Sequence, residues 1–385
     1  MKLAALFFLV GCLAVPGRAD AGTGAPEERI LHEAVRVART MLGSDDVYNR
    51  ILAAGALVET GDRPALEMLV KYMESKDFVL KRSAIDTLLS TNHPRGVDLI
   101  MREAQRDDVA LTLMVESLAA TPREDLEDLL LQALASNKAY VRKNALQALS
   151  AIDTDAVNAA VHRVTDDPKE SPTVRAYGYY VLASTGHGAE VGERVLEIAR
   201  TGQTSDEREV AAATLGHIDS AASKATLKVL AKEDVDGRVQ LAAIASSARL
   251  KDEDAISRMV KLVAFGKPME STVMAGAIRR LPGDLVHDVT RTVIALNLST
   301  DTATRVVESW GWISNDATFL YDWGLAHQAS DVRLQTLWLV GHRRDAAAIH
   351  EIARFLKDDD PGIRTMAAWA IIHSAGGSFI GGVET

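Results

Sequence analysis

The stretch YVRKNALQAL at residues 140–149 returns near the end of the chain as GIRTMAAWAI at residues 362–371. Each copy has a β-branched residue, then Arg, then Ala three positions after the Arg, with apolar residues on the next helical turn. From Arg50 to Arg364 the pattern recurs over ten intervals that average about 31 residues, which accommodates two helices and two short turns. Related segments begin at Arg50, Lys81, Arg175, Arg208, Arg238 and Arg333.

A second amphipathic segment precedes each of these motifs. The stretches DLEDLLLQAL at residues 125–134 and RVLEIA at residues 194–199 place apolar residues at helical spacing. The turns KDDDP at 357–361 and DDP at 166–168 offer an Asp to cap the next helix and a Pro for its first turn. The sequence therefore predicts an all-α chain of helix pairs.

The segments LGHID at 215–219 and DDPGIR at 359–364 resemble the HEAT repeat family, in particular the bacterial HEAT-like repeats of the phycobilisome-lyase type. The resemblance implies an α-α superhelix, or solenoid, of about eleven helix pairs over residues 28–376, with the second helices on a concave face. Residues 108–120 and 266–313 fit the pattern poorly, and a bend is expected near 266–300. Such a resemblance is specific for architecture and carries little about function.

The composition favours close helix packing and argues against nucleic acid as a partner. Hydrophobic residues are 47% and aromatic residues 5% of the chain, while the net charge is −10. An acidic surface repels phosphate backbones, which require clustered Lys and Arg.

The N-terminus resembles an export signal. A short apolar stretch follows Lys2, and Ala19-Asp20-Ala21 provides small residues before a cleavage site, which predicts a signal peptide at 1–21, a linker at 22–27 and a periplasmic or secreted protein. An alternative is lipid anchoring through Cys12, the only cysteine, in a lipobox-like LVGC at 9–12. No later segment is apolar enough to span a membrane. The glycine-rich residues 377–385 are expected to be a flexible tail.

Aromatic and ionisable side chains supply the candidate binding residues. All five tryptophans lie between Trp310 and Trp369, and Trp310 and Trp312 are too close along one helix to face the same core. Tyr177 and Tyr180 share a helix face, so one of them could reach the concave surface. The Arg of each repeat is expected to pair with a turn Asp of its own or the neighbouring repeat and to be structural. The candidate partner-binding residues are Trp310, Trp312, Trp338, Tyr177, Tyr180, His342 and Arg343.

No pattern in the sequence indicates catalysis, a cofactor or a metal. The stretch HEIAR at 350–354 begins like a zinc-binding H-E-x-x-H motif but ends in Arg354, so the second ligand is absent. We expect a non-enzymatic scaffold that presents a concave surface to a protein or peptide. The alternative is a periplasmic carrier that holds a lipid or another apolar ligand in a Trp-rich C-terminal cleft. A bilin-lyase activity, known in proteins with such repeats, fits poorly with export.

Overall fold

The computed structural model describes residues 26–91, 93–120 and 123–376, and this part of the chain forms helices without strands. The predicted signal peptide at 1–21, Cys12, most of the predicted linker at 22–27 and the predicted tail at 377–385 lie outside the described residues. Within them, twenty-two helices alternate as first and second members of eleven pairs, which confirms the predicted fold class.

The helices are short and nearly uniform, as the repeat length requires. The first helices are α1 (Pro26–Met41), α3 (Arg63–Met73), α5 (Pro94–Arg106), α7 (Glu127–Ala133), α9 (Asp155–Asp166), α11 (Gly188–Thr201), α13 (Ala221–Glu233), α15 (Glu253–Phe265), α17 (Gly283–Ile294), α19 (Thr318–Leu325) and α21 (Ile349–Ile352). The second helices are α2 (Val47–Glu59), α4 (Phe78–Ser90), α6 (Asp108–Ala120), α8 (Ala139–Leu149), α10 (Pro172–Ser184), α12 (Ser205–Leu215), α14 (Gly237–Arg249), α16 (Pro268–Ala277), α18 (Thr300–Ser309), α20 (Ser330–His342) and α22 (Pro361–Ala375).

The second helices are more deeply buried than the first helices because they pack against a neighbour on each side. Ala53, Ala54 and Ala56 of α2 are all inaccessible to solvent, whereas α11 buries a single apolar stripe. The many Ala and Gly residues allow this close approach. At Gly341 of α20, for example, an added Cβ would lie 2.4 Å from Cζ3 of Trp369.

The turns inside the pairs follow the predicted capping chemistry in part. Asp360 caps α22 by accepting a hydrogen bond of 2.7 Å from the Gly362 amide, and Pro361 occupies the first turn. The corresponding prediction for DDP at 166–168 is wrong. There α10 begins later, at Pro172, and its cap is Ser171, whose hydroxyl accepts from the Val174 amide at 3.2 Å.

The repeated Arg at the start of the second helix is structural, as predicted, and the predicted pairing with a turn Asp occurs in part of the repeats, as at Arg208 with Asp234. Arg364 donates to the carbonyls of Asp358 and Asp359 in its own turn, and Arg333 does the same with the corresponding carbonyls of its own repeat. Arg208 donates to the Gly202 carbonyl and also forms a two-pronged ion pair with a carboxylate of the next repeat. The Arg row therefore holds each turn together and in places links neighbouring repeats.

The repeats at 266–313 form regular pairs, but their second helices end differently. The last turn after α16 is a 3₁₀ turn at Ile278–Arg280, and the last turn after α18 is a 3₁₀ turn at Trp310–Trp312. A 3₁₀ turn winds more tightly than an α-helix and changes the direction of the side chains that follow. These two turns place aromatic and cationic residues on the inner side of the array.

The array closes on itself, because the last helix packs against the first pair. Helix α22 packs on α20 and also on α1 and α2. Across this seam Arg344 forms an ion pair of 2.8 Å with Glu59 and donates to the His373 carbonyl at 3.3 Å. Lys357 approaches Glu33 at 3.9 Å. The second helices thus form a closed inner ring, and the concave face expected from the sequence becomes the interior of that ring.

The ring has two rims because all second helices run in the same direction. We call the side that carries their first residues the N-terminal rim and the side that carries their last residues the C-terminal rim.

Candidate functional site

Trp310 belongs to the core of the ninth and tenth pairs. It is fully buried, and its indole N–H donates to the Thr290 hydroxyl at 3.0 Å. Its ring meets Phe319 edge-on, with centroids 5.2 Å apart. These contacts satisfy both its polar and its apolar surface.

Trp312, Trp338 and His342 form a second aromatic cluster that is partly exposed. Trp338 and His342 stack with centroids 4.6 Å apart, and Trp312 lies 5.9 Å from Trp338. The ring faces of Trp338 and His342 pass close to Gly311, where a Cβ would lie 2.8 Å from Trp338. Burial lowers the pKa of His342, and the neighbouring Arg343 and Arg344 lower it further. Trp310 and Trp312 therefore lie in different surroundings, as their spacing predicts.

The Arg343 guanidinium donates hydrogen bonds to backbone carbonyls. It donates to the carbonyls of Trp310 and Ile313 and, at 2.7 Å, to that of Asn315. These carbonyls end the preceding second helix and its 3₁₀ turn, so the guanidinium closes the end of that repeat. The structure thus gives Arg343 a role in joining two repeats.

Tyr177 and Tyr180 lie on the inner face of α10 and line a cavity inside the ring. Tyr180 meets His217 edge-on at 5.3 Å, and the Lys143 ammonium lies 5.7 Å from the Tyr177 ring. Burial, with added repulsion from Glu209 and Asp206, raises the pKa of Tyr177 to about 12. The Tyr177 phenol is therefore a neutral hydrogen-bonding group at physiological pH.

The cavity has a volume of about 380 Å³ and draws its walls from second helices on several sides of the ring. It extends from Ala119 at the end of α6 to Trp312 after α18. Of the seven candidate residues, it brings together Tyr177, Tyr180 and Trp312. The other four candidates, Trp310, Trp338, His342 and Arg343, are not part of its lining.

Charged residues that sequence reasoning missed complete the cavity. Arg249, Arg279 and Arg280 line it, together with Glu209. The Arg279 guanidinium lies 5.1 Å from the centroid of the Trp312 ring, within reach of a cation–π interaction. A signal was present in the sequence, since Arg249 and Arg280 are one repeat apart at the ends of second helices.

Burial shapes the electrostatics of this lining. It lowers the pKa of Arg279, and the nearby Arg280 and Arg305 lower it further. Burial also raises the pKa of the Glu209 carboxyl. His217 has a pKa of about 3, because burial and the charges of Arg249 and Arg280 oppose its protonation. The imidazole is therefore neutral at physiological pH.

The N-terminal rim carries a different feature, an arc of exposed apolar side chains. Tyr48, Val79, Val109 and Tyr140 are 58%, 50%, 46% and 48% exposed, and each is the second residue of consecutive second helices. Neighbouring packed helices lie about 8–10 Å apart, so these side chains follow one another along the rim. We call these four residues the apolar arc. The same position is polar in most later repeats: Thr173, Asp206, Arg238, Asp301 and Asp331.

Neither a membrane-spanning helix nor a metal site is found in the described ranges. No helix there is long and apolar enough to cross a bilayer. No group of three or more His, Asp or Glu side chains lies close enough together to hold a metal ion there.

Comparison with known proteins finds likeness to solved structures at low sequence identity. No family model and no curated protein matches the sequence. An engineered protein matches with TM-score 0.28 and 17% identity, covering 89% of this chain and 99% of that chain. Human deoxyhypusine hydroxylase in complex with glycerol matches with TM-score 0.29 and 17% identity, covering 66% and 96%. The Kap95:Nup1 complex matches with TM-score 0.33 and 13% identity, covering 90% and 56%. Nothing about activity or ligand follows from likeness at this level.

Proposed function

We propose that this protein is an exported, non-enzymatic scaffold that docks a partner protein on the N-terminal rim of its ring. The observation that carries the proposal is the apolar arc. Single exposed apolar residues are normal on protein surfaces, but here four stand in register on adjacent helices along one stretch of the rim. The first turn of a helix is usually polar, so the core does not require large apolar residues at these positions.

The rim suits a protein partner better than the ring interior does. The interior cavity of about 380 Å³ has the size of a small-ligand pocket, so it does not admit the body of a folded protein. The arc instead offers two exposed tyrosines, Tyr48 and Tyr140, at its two ends. Tyrosine is enriched in the cores of protein interfaces because it buries a large ring and keeps a hydroxyl for hydrogen bonding.

Photo-crosslinking in the native cell tests the docking surface. Val109 is replaced by p-benzoylphenylalanine, and the same replacement at Val229 serves as the matched control. Val229 is 53% exposed on the first helix α13 of the seventh pair, away from the apolar arc on the first four pairs. A discrete protein adduct should form from position 109 only, and Tyr140→Ser should abolish it. Equal adducts from both positions, or none from position 109, would contradict the proposal.

Export is a separate part of the proposal and has its own test. It is supported by the signal-like sequence of residues 1–21. Mass spectrometry of the purified native protein should find a chain that begins at Gly22. A chain that begins at a lipid-modified Cys12 would establish lipid anchoring instead, and an uncleaved Met1 would contradict export.

The alternative of a lipid carrier receives less support from the packing of the tryptophans. Trp310 and Trp369 are fully or almost fully buried in the core rather than lining an apolar cleft. Trp312 contributes to a cavity that also contains three arginines, an unfavourable setting for an uncharged lipid. The Trp-rich cleft and the phycobilisome-lyase type of repeat stay predictions.

A further inference from the structure

The interior cavity is positively charged, although the chain as a whole carries a net charge of −10. Three guanidinium groups, those of Arg249, Arg279 and Arg280, line it. Among the described residues of its lining, Glu209 is the single carboxylate. His217 is neutral there and adds no charge. A cationic interior inside an acidic molecule selects for anions that reach it.

Arg280 lies at the centre of this charge. Its field perturbs the pKa values of groups on three other second helices: Tyr177, Glu209, His217 and Arg249. Its charge also acts on the neighbouring Arg279, and both residues are partly buried. Like charges held together at low solvent exposure repel each other, and the repulsion is relieved when an anion binds between them.

These arginines differ from the arginines that hold the repeats together. At the same C-terminal rim, Arg123 donates to the carbonyls of Leu89 and Thr91 at the end of α4, and Arg343 donates to three carbonyls. Arg249 donates to the carbonyl of Arg280. Within the described part of the chain, the side chains of Arg279 and Arg280 make no hydrogen bond and no ion pair. The Arg279 guanidinium lies against the ring of Trp312.

We propose that the cavity binds a small organic anion, with its carboxylate or phosphate group held by Arg279 and Arg280 and its apolar part against Tyr177 and Tyr180. The planar fork of a guanidinium matches both carboxylate and phosphate oxygens. The two tyrosine rings offer flat apolar surface, and their hydroxyls can orient a ligand through hydrogen bonds. The volume of about 380 Å³ falls within the range of small-molecule sites.

This site is independent of partner docking at the N-terminal rim. The cavity residues lie in the middle and at the C-terminal ends of the second helices, whereas the apolar arc occupies their first turns. Tyr140→Ser should therefore leave anion binding unchanged, and a failure of one proposal does not imply a failure of the other.

Calorimetry and thermal unfolding of the purified protein test the proposal with four probes at equal ionic strength. The probes are 1-naphthoate, 1-naphthyl phosphate, the neutral 1-naphthamide and inorganic phosphate. At least one aromatic anion should bind and raise Tm, and the neutral amide should not. Tighter binding of 1-naphthoate would indicate a carboxylate ligand, and tighter binding of 1-naphthyl phosphate would indicate a phosphate ligand. The proposal fails if neither binds, or if inorganic phosphate binds as tightly as both.

The variant Arg280→Gln separates a binding role from a structural role. It should weaken probe binding by about tenfold or more, because it removes a charge-assisted contact. Without ligand, it should also raise Tm or leave it unchanged, since it relieves repulsion. Arg238→Gln is the matched control, because Arg238 is exposed at the opposite rim and paired with Asp236. A lowered Tm for Arg280→Gln with undiminished probe binding would overturn the assignment.

Discussion

Gly341 shows how strongly the inner ring depends on individual small residues. An added Cβ would lie 2.4 Å from Cζ3 of Trp369 and 2.7 Å from Cα of Ala370, so both a ring and a backbone would have to move. Overpacking of this kind costs about 1–3 kcal/mol. We therefore expect Gly341→Ala to lower the free energy of unfolding by that amount, measured by urea denaturation.

The control for this prediction is Gly192→Ala, which makes the same substitution in a first helix. There the nearest atom to an added Cβ is Cγ2 of Ile218 at 3.9 Å, an ordinary contact. Alanine in a helix interior is favoured over glycine by about 0.5–1 kcal/mol, so this variant should be slightly more stable. Equal effects of the two variants would show that α20 and α22 are not as close as described.

Single residues also mark the limit of what the sequence could predict. The spacing of Trp310 and Trp312 correctly predicts that the two rings lie in different surroundings, because residues two positions apart point in different directions. The partners of each ring come from neighbouring repeats, and sequence spacing does not identify them. The sequence did not predict the position of Arg279 and Arg280 in the cavity for the same reason. A pair of arginines at a helix end resembles an ordinary solvated C-terminus.

At the scale of the helix pair, Arg208 links two repeats and should contribute to stability. Its guanidinium donates to the Gly202 carbonyl at 3.1 Å and to both carboxylate oxygens of Asp234, at 2.7 and 3.1 Å. The Arg208 side chain is only 16% exposed. Lysine keeps the charge but cannot make three such bonds at once. Arg208→Lys should destabilise the protein by about 1–3 kcal/mol in urea unfolding.

Arg238→Lys serves as the comparison because Arg238 lies in the first turn of the second helix of the next pair. Its side chain is 48% exposed and its carboxylate partners are solvated, so the loss should be within about 0.5 kcal/mol. A loss at Arg238 as large as that at Arg208 would mean that burial of the ion pair does not determine the contribution.

The helix pairs themselves were predictable because their information is local. The apolar spacing that predicts a helix lies within one repeat, and so do the capping Asp360 and the Pro361 that follows it. The 3₁₀ turns at Ile278–Arg280 and Trp310–Trp312 were not predicted, because a tighter last turn depends on how the next repeat packs against it. The cavity depends on those turns, so it was predictable only as far as Tyr177 and Tyr180 on α10.

The repeat period of the whole molecule does not determine whether the array closes into a ring. Closure depends on the small rotation between successive pairs, and an error of a few degrees accumulates over eleven steps. Closure also removes the two exposed ends that an open solenoid must cap with polar residues. This explains why α1 and α2 carry the same kind of buried apolar face as helices in the middle of the array.

Hydrogen exchange should therefore find no frayed ends in the described part of the chain. Terminal repeats of an open solenoid open locally at low free energy, whereas in a closed ring α1, α2 and α22 should exchange as slowly as α12 and α14. Arg344→Ala removes the ion pair with Glu59 and the bond to the His373 carbonyl. It should speed exchange in α1, α2 and α22 and leave α12 unchanged, while Arg238→Ala should leave all of them unchanged. Fast exchange of α1 and α2 in the unaltered protein would show that the ring is open in solution, and the cavity between its walls would then lose its geometry.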